Sequence, residues 1–340
     1  MNIAPGLSVV IAVHNSADML DQCLAALEQS DLRPAECVVV QDGSTDDSAA
    51  VAERHGTRLV VLREQQGPAH ARNVGARLAQ GELILFLDAD VCIHPDAIQR
   101  IVEHFQRDPS LDAVIGAYDD SPAAPPFISQ YRNLLHCFTH RAGRRDAGTF
   151  WSGCGAVRKK VFLRCGGLDE RYGRPAIEDV EFGSRLKAAG GRILLDPAIQ
   201  VKHLKCWTLA SMIKTDIFDR GIPWTRLILR AGRMPNDLNV RWSQRLSVAM
   251  SFLAVAALGC GSGKTALACV LAVLGLNLSF FIFLAARRRV WFVLSSLPVH
   301  LLFHFYSGIA FGLGVGSYLL STFGAAESEA VPDKNVDAGA

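Results

Sequence analysis

The sequence predicts an α/β protein, with a mostly parallel sheet flanked by helices and, after it, a C-terminal helical membrane region. Three observations predict this. From residue 1 to about 204, short apolar runs alternate with polar helical stretches, the pattern of βαβ units. Residues 246–320 carry almost no charge apart from Lys264 and the cluster Arg287, Arg288, Arg289. Half of the 340 residues are hydrophobic, and mean hydropathy is +0.20, high for a purely soluble chain.

The elements follow in order. "LSVVIAV" (7–13) is apolar on both faces, as a parallel strand covered by helices must be. Ser16 is placed to cap a helix to about Ser30, with Met19, Leu20, Cys23, Leu24 and Leu27 on one face. Then come "ECVVVQ" (36–41), a helix near 46–55, "RLVVL" (58–62), a helix near 68–79 and "ELILFL" (82–87). Right-handed crossovers gather the C-terminal ends of these strands on one edge, where ligands of open α/β sheets bind.

The residues expected at that edge are polar. The first strand ends in Val13-His14-Asn15, the second at Asp42 of "DGSTDD", and the strand from Glu82 at Asp88-Ala89-Asp90. Residues i and i+2 of an extended segment project to the same side, so Asp88 and Asp90 aim at one point. Two carboxylates held close together need a positive group between them. A hard divalent cation with oxygen ligands, Mg²⁺ or Mn²⁺, suits that arrangement. The plainer alternative is that the aspartates solvate a strand end and cap the helix after Pro95. A second acidic pair, Glu178-Asp179, follows Pro175 at a helix start, and Gly190-Gly191 marks the helix end. Acids there also complement the helix dipole.

Four segments together carry a resemblance: "SVVIAVHNS" (8–16), "VVVQDGSTDDS" (38–48), "GPAHARNVGARLAQGELILFLDADV" (67–91) and "IEDVEFGSRLKAAG" (177–190). In this order and spacing they resemble the family 2 glycosyltransferases of the Rossmann-like GT-A fold, over roughly residues 7–205. The resemblance implies an inverting glycosyltransferase (EC 2.4 class) using a nucleotide-sugar, with a UDP-sugar the expected donor, and Mg²⁺ or Mn²⁺. It places Val13 and Asn15 under the nucleotide base and matches Asp42 to the base-binding aspartate. Arg72 and Asn73 match a segment near the nucleotide and diphosphate. Asp88 matches the ribose- and metal-side carboxylate, and Asp90 the direct metal ligand. Asp179 matches the catalytic base, with Glu178 orienting acceptor or base. His203, in "IQVKHLKCW", matches a third metal or diphosphate ligand. Relatives often carry Pro and an aromatic residue where this chain has Val13-His14, which leaves the base open.

In "FWSGCGAVRKKVF" (150–162), Gly153 and Gly155 would let backbone approach the donor sugar or acceptor. Trp151 is either a sugar-stacking ring or a core aromatic. An Asx turn is the competing role for Asp42, and a helix-surface pair for Arg72 and Asn73.

The chain divides into a catalytic domain (1–204), a basic segment (205–245), apolar helices (246–320) and a polar tail expected to be disordered (321–340). The basic segment has eight Lys or Arg against three Asp, with Trp207, Trp224 and Trp242, and suits an interface with anionic headgroups. Of the apolar runs, 246–260 is short for a span and 265–285 is long enough. Pro298 is expected to divide 290–320 into an interfacial piece and a span, with a re-entrant hairpin as the rival. Arg241, Arg245 and Arg287–Arg289 would face the cytosol. The expectation is an integral inner-membrane protein with two to four spans and a cytoplasmic catalytic domain. It would act on a lipid-linked or envelope-polysaccharide acceptor, contact membrane lipid and bind no nucleic acid.

Several features point elsewhere only at first sight. "GCGSGKTA" (259–266) lacks the first glycine of a P-loop, whose place Leu258 takes. Nine scattered cysteines with no C-x-x-C read as reduced thiols. "LSVVIAV" is short and has no basic flank, so no signal peptide is expected. His300 and His304 read as interfacial or packing residues. A net charge of +2 predicts no bulk polyanion partner. A nucleotidyltransferase-like metal enzyme and a catalytically silent membrane scaffold remain as other classes.

Overall fold

The computed structural model describes residues 2–329 except 233 and 235. The strands are β1 (Asn2–Val13), β2 (Leu32–Asp42), β3 (Arg58–Leu62), β4 (Leu83–Asp88), β5 (Val91–Ile93), β6 (Ala113–Tyr118), β7 (Cys154–Arg158) and β8 (Ile193–His203). The helices of the sheet region are α1 (Ala17–Glu28), α2 (Ser48–Arg54), α3 (Pro68–Leu78), α4 (Ala97–Arg107), α5 (Phe127–Arg141), α6 (Lys159–Arg164) and α7 (Glu178–Ala188). After them come α8 (Leu209–Lys214), a π-helical turn (Thr215–Gly221), α9 (Ile222–Ala231), α10 (Trp242–Gly259), α11 (Gly263–Leu276), α12 (Leu278–Ala285) and α13 (Val290–Glu329).

The strands form one sheet in the order β3-β2-β1-β4-β7-β6-β8-β5. β1 pairs in parallel with β2 and β4, β2 with β3, and β6 with β8. β7 runs antiparallel between β4 and β6, and β5 antiparallel to β8. The sheet is therefore mixed, with an α/β half that was legible in the sequence and an irregular half that was not. Both faces are covered, which explains the unbroken apolar strands. Val9 and Ile11 face a core shared with α1, α2 and α4. Val10 faces the other core, with α3, α6 and α7.

Ser16 makes no side-chain cap to α1. The first amide of the helix, Ala17 N–H, instead donates to the Asp46 carboxylate at 2.8 Å, so the cap comes from the loop after β2. The 205–245 segment does not lie apart from the sheet region. Trp207 and Met212 are buried with Tyr131 and Leu134 of α5 and with Phe280 and Leu284 of α12.

The apolar end differs from expectation in two places. α13 runs through Pro298 without a break, and Val290–Thr322 is long and apolar enough to cross a membrane. Packed neighbours let such a helix absorb the missing amide. α11 and α12 qualify as a span only together, and they meet at 62°. Asn277 causes the bend: its side-chain amide donates to the Val273 carbonyl (2.9 Å) and to Ser247 Oγ (2.8 Å), intruding on the helical ladder. In the "GCGSGKTA" run, residues 260–262 form the turn between α10 and α11, and 263–266 begin α11. All nine cysteines are free thiols. Of the tail expected to be disordered, 321–329 continues α13, and 330–340 lies outside the described residues.

Candidate active site

A cleft of about 400 Å³ opens at the C-terminal edge of β1, β2 and β4. Val13, His14, Asp42, Arg72, Asp88, Asp90 and His203 line it, together with Tyr118, Arg132, Asn133, His136, Lys205 and Arg220. Residues from distant parts of the chain meet here because parallel strands end on the same side.

The loop after β1 is internally braced. Asn15 adopts a left-handed backbone conformation (φ 49°), which asparagine tolerates. Its side-chain oxygen accepts from Thr45 N–H at 2.8 Å. Asp42 is buried, and its two oxygens accept from the backbone amides of Gln66 (2.7 Å) and Gly67 (2.8 Å). The carboxylate therefore pins the loop ahead of α3, not an Asx turn of its own. His14 Nδ1 lies 2.7 Å from the Asp42 carbonyl oxygen.

The centre of the site is Arg72. Its guanidinium donates to Asp88 Oδ1 at 2.6 Å and to Glu178 Oε1 at 2.9 Å. One buried cation thus joins the Asp88-Asp90 turn to the start of α7. Asn73 points the other way. Its amide clamps Leu168, donating to the carbonyl and accepting from the N–H, both at 2.8 Å.

Asp179 stands next to this bridge. One oxygen accepts from Ser152 N–H (3.0 Å) and Ser152 Oγ (3.2 Å), and the other from Val180 N–H (2.7 Å). Burial, and then the neighbouring Glu178 charge, raise its carboxyl to about 6. A carboxyl so placed exchanges a proton near neutral pH.

On the opposite wall, His203 is buried and stacks on Tyr118, ring centroids 4.4 Å apart. Its Nδ1 meets Asn133 Oδ1 at 2.5 Å, and its Nε2 lies 3.4 Å from Asp90 Oδ2. Burial by itself would raise Asp90, but His203 and Lys205 outweigh it and hold the carboxyl below its ordinary range. Asp88 is raised, by burial first and by the Asp90 charge, against the pull of Arg72. Both carboxylates line the same cleft and offer oxygen donors of the kind a hard cation takes.

Trp151, Gly153 and Gly155 are taken up in packing. Trp151 packs edge-on against Tyr118 (4.9 Å) and His140 (4.8 Å). A Cβ on Gly153 would stand 2.6 Å from the Trp151 ring, and one on Gly155 2.2 Å from the Trp151 carbonyl oxygen. These glycines make room for protein atoms. Sequence reasoning missed Tyr118, Asn133 and His136 and the three cations Arg132, Arg220 and Lys205. Arg132 sits in an amphipathic helix and the other two in a basic run, so no local signal separated them from surface charge.

Residues 8–166 match the family described as Glycosyl transferase family 2. The chain carries a family 2 glycosyltransferase domain. Over 231 residues it is 25% identical to poly-beta-1,6-N-acetyl-D-glucosamine synthase of Staphylococcus aureus (strain MSSA476), covering 65% of this chain and 54% of that protein. It is 26% identical over 189 residues to an uncharacterized glycosyltransferase of Haemophilus influenzae, covering 52% of this chain and 60% of that one. The chain thus spans just over half the length of the curated relatives it matches. Among solved structures, the mannosyltransferase PcManGT of Pyrobaculum calidifontis, in complex with GDP-Man and Mn²⁺, is 17% identical. Its TM-score is 0.56, with 93% of this chain and 87% of that one covered. The glycosyltransferase domain has the GT-A fold.

The donors present in this domain fit a divalent cation held largely by its substrate. Among the described residues, no cluster of three His, Cys, Asp or Glu side chains is preformed for a metal. One Asp88 oxygen is already engaged by Arg72, which leaves Asp90, the other Asp88 oxygen and His203. A hard cation would complete its shell with water and a diphosphate.

Proposed function

We propose that this protein is a membrane-bound glycosyltransferase that moves a sugar from a nucleotide-sugar, with a UDP-sugar as the expected donor, to an acceptor held at the membrane surface. The observation that carries the reading is the Arg72 bridge, which brings the Asp88-Asp90 turn and the Glu178-Asp179 helix start into one site.

In this reading Asp179 removes the proton of an acceptor hydroxyl as it attacks the anomeric carbon, and the product has inverted configuration. The raised proton affinity of Asp179 matches that task. Glu178, locked by Arg72 and by the Ala176 amide at 2.9 Å, keeps the start of α7 in place. Asp90, Asp88 and His203 would hold Mg²⁺ or Mn²⁺, and a metal ion there neutralises charge on a departing diphosphate. Asp42 and Asn15 shape the floor on which the base rests. An acceptor that is already ionised would need no base, and Asp179 would then matter less.

Membrane attachment is supported by α13 and by an exposed apolar band. Leu253, Leu258, Leu271, Ile282, Trp291 and Leu320 are all more than 45% exposed, and large apolar side chains left bare in such number suit a lipid surface. The reading places the glycosyltransferase domain on the cytoplasmic side of the inner membrane. The staphylococcal relatives are named for a glycan polymer, so a glycan acceptor stands beside a lipid-linked one.

The test is a panel of nucleotide-sugars offered to the purified full chain in detergent, with Mn²⁺ or Mg²⁺ and then with EDTA. The expected result is sugar transfer, or slow donor hydrolysis, abolished by EDTA. Activity indifferent to EDTA removes the metal assignment. Pyrophosphate release from a nucleoside triphosphate would favour a nucleotidyltransferase. Failure to bind any nucleotide would favour a silent scaffold.

A further inference from the structure

A second cavity, of about 390 Å³, lies beside the cleft between α9, α10 and α13. Its walls are mainly apolar, among them Trp224, Ile228, Val248, Phe303 and Phe311. Its size is that of a small-molecule site. Two residues, Arg132 and Arg220, line both this cavity and the active-site cleft. The apolar space therefore ends, at the catalytic side, on a wall of guanidinium groups.

The charge at that wall is not balanced within the protein. Arg132 is 4% exposed and pairs with both oxygens of Asp216. Asp216 also accepts from Tyr306 of α13 at 2.7 Å, which ties the membrane-capable helix to the cleft. The Arg132 Nε–H is buried and has no partner, an unusual state for such a donor. Arg220 approaches only a ring nitrogen, His136 Nε2 at 3.2 Å. Among the described residues, no carboxylate lies within ion-pair distance of Arg220. The wall thus carries two cations against one anion and an unused donor.

We infer that this cavity holds the apolar chain of a phosphate-bearing lipid acceptor, with its phosphate on Arg220 and Arg132 at the mouth shared with the active site. The inference rests on the transferase reading for the lipid's role as acceptor, in which an ionised phosphate oxygen would need no base at Asp179, and on geometry alone for the lipid. Charge complementarity sets the headgroup, because a guanidinium fork matches phosphate oxygens. The apolar walls set the tail. Continuity with the cleft sets the orientation, head toward the donor site and tail toward α10 and α13. The π-helical turn that carries Asp216 and Arg220 is a departure from regular helix of the kind often found at functional sites.

The experiment measures binding by native mass spectrometry of the full chain released from detergent, with farnesyl phosphate, farnesol and inorganic phosphate as probes. Farnesyl phosphate should bind saturably and about tenfold or more tighter than farnesol, and inorganic phosphate should fail to compete. Arg220→Gln should bring farnesyl phosphate down to the affinity of farnesol. Ala249→Trp, which fills the cavity from α10, should weaken both lipids together. Equal affinity for farnesyl phosphate and farnesol overturns the inference, as does undiminished binding in Ala249→Trp. Nucleotide-sugar binding, followed by calorimetry in the same preparation, separates the two readings. Farnesyl phosphate bound without any nucleotide-sugar would defeat the transferase and keep the lipid site. Nucleotide-sugar bound with both lipids treated alike would defeat the lipid site alone.

Discussion

Replacing Asp179 with Asn should make the protein slower and should shift relative stability toward the variant as pH rises from about 4 to about 6. The carboxyl is raised from an ordinary 3.8 to about 6 by burial and by Glu178. The folded state therefore holds its proton more tightly than the unfolded chain does. Stability from that proton is present at low pH and is lost as pH rises from about 4 to about 6. At neutral pH the folded protein carries a charge there that would cost about 3 kcal/mol if fully buried, at ~1.4 kcal/mol per tenfold change in proton affinity. Asp179 is only half-buried, so solvent screening brings the figure to about 1–2 kcal/mol. Asparagine removes this cost. It also disturbs the bonds from Ser152 and Val180, but that loss does not vary with pH. The reading is therefore the difference between the two proteins as a function of pH. Thermal melts of wild type and Asp179→Asn should diverge in favour of the variant by a few degrees between pH 4 and pH 6.5, then run parallel. Transfer to a hydroxyl acceptor should fall by about 10²–10⁴-fold in the variant. Wild-type rate should decline about tenfold per pH unit below about 6. A melting difference that is flat from pH 4 to 7.5, or full transfer to a hydroxyl acceptor by the variant, would refute the assignment.

Arg72→Met should strand Asp88 and Glu178 as unpaired carboxylates, at a cost of about 3–5 kcal/mol read as a lowered melting temperature. Arg72→Lys should recover little of it, because one ammonium cannot fork to both acids, and a wild-type melt for either variant would count against the bridge. Gly155→Ala places a methyl 2.2 Å from the Trp151 carbonyl oxygen and 2.6 Å from the Phe150 ring. It should destabilise by about 1–3 kcal/mol or more. A normal melt with a raised KM for the donor would point instead to close approach by a sugar.

Much of the α/β half was legible because its signals are local. The alternation of "LSVVIAV", "ECVVVQ", "RLVVL" and "ELILFL" with helical stretches marks β1 to β4 within a residue or two at the C-terminal ends. It also places Asp42 and Asp88 at one edge, since parallel strands share a direction. What depends on partners distant in sequence was not legible. Nothing near Cys154 announces that β7 enters the sheet antiparallel, because direction is set by which strands it joins. Gly153 and Gly155 look like access for a ligand until Trp151 is seen folded over them. Asn73 follows Arg72 directly in sequence, yet the helix turns it to Leu168 while Arg72 faces the cleft.

The sequence by itself determined the C-terminal ends of β1 to β4, the acidic residues placed on them and the apolar character of the C-terminal helices. Those properties are written in periods of two and 3.6 residues along a single stretch. Only the tertiary structure decided that one guanidinium joins Asp88 to Glu178, that α11 and α12 meet at an angle at Asn277, and that Arg132 and Arg220 form a wall between cleft and apolar cavity. Each of these is a contact between segments dozens of residues apart. Its energy comes from burial and charge that exist only once the chain has closed on itself.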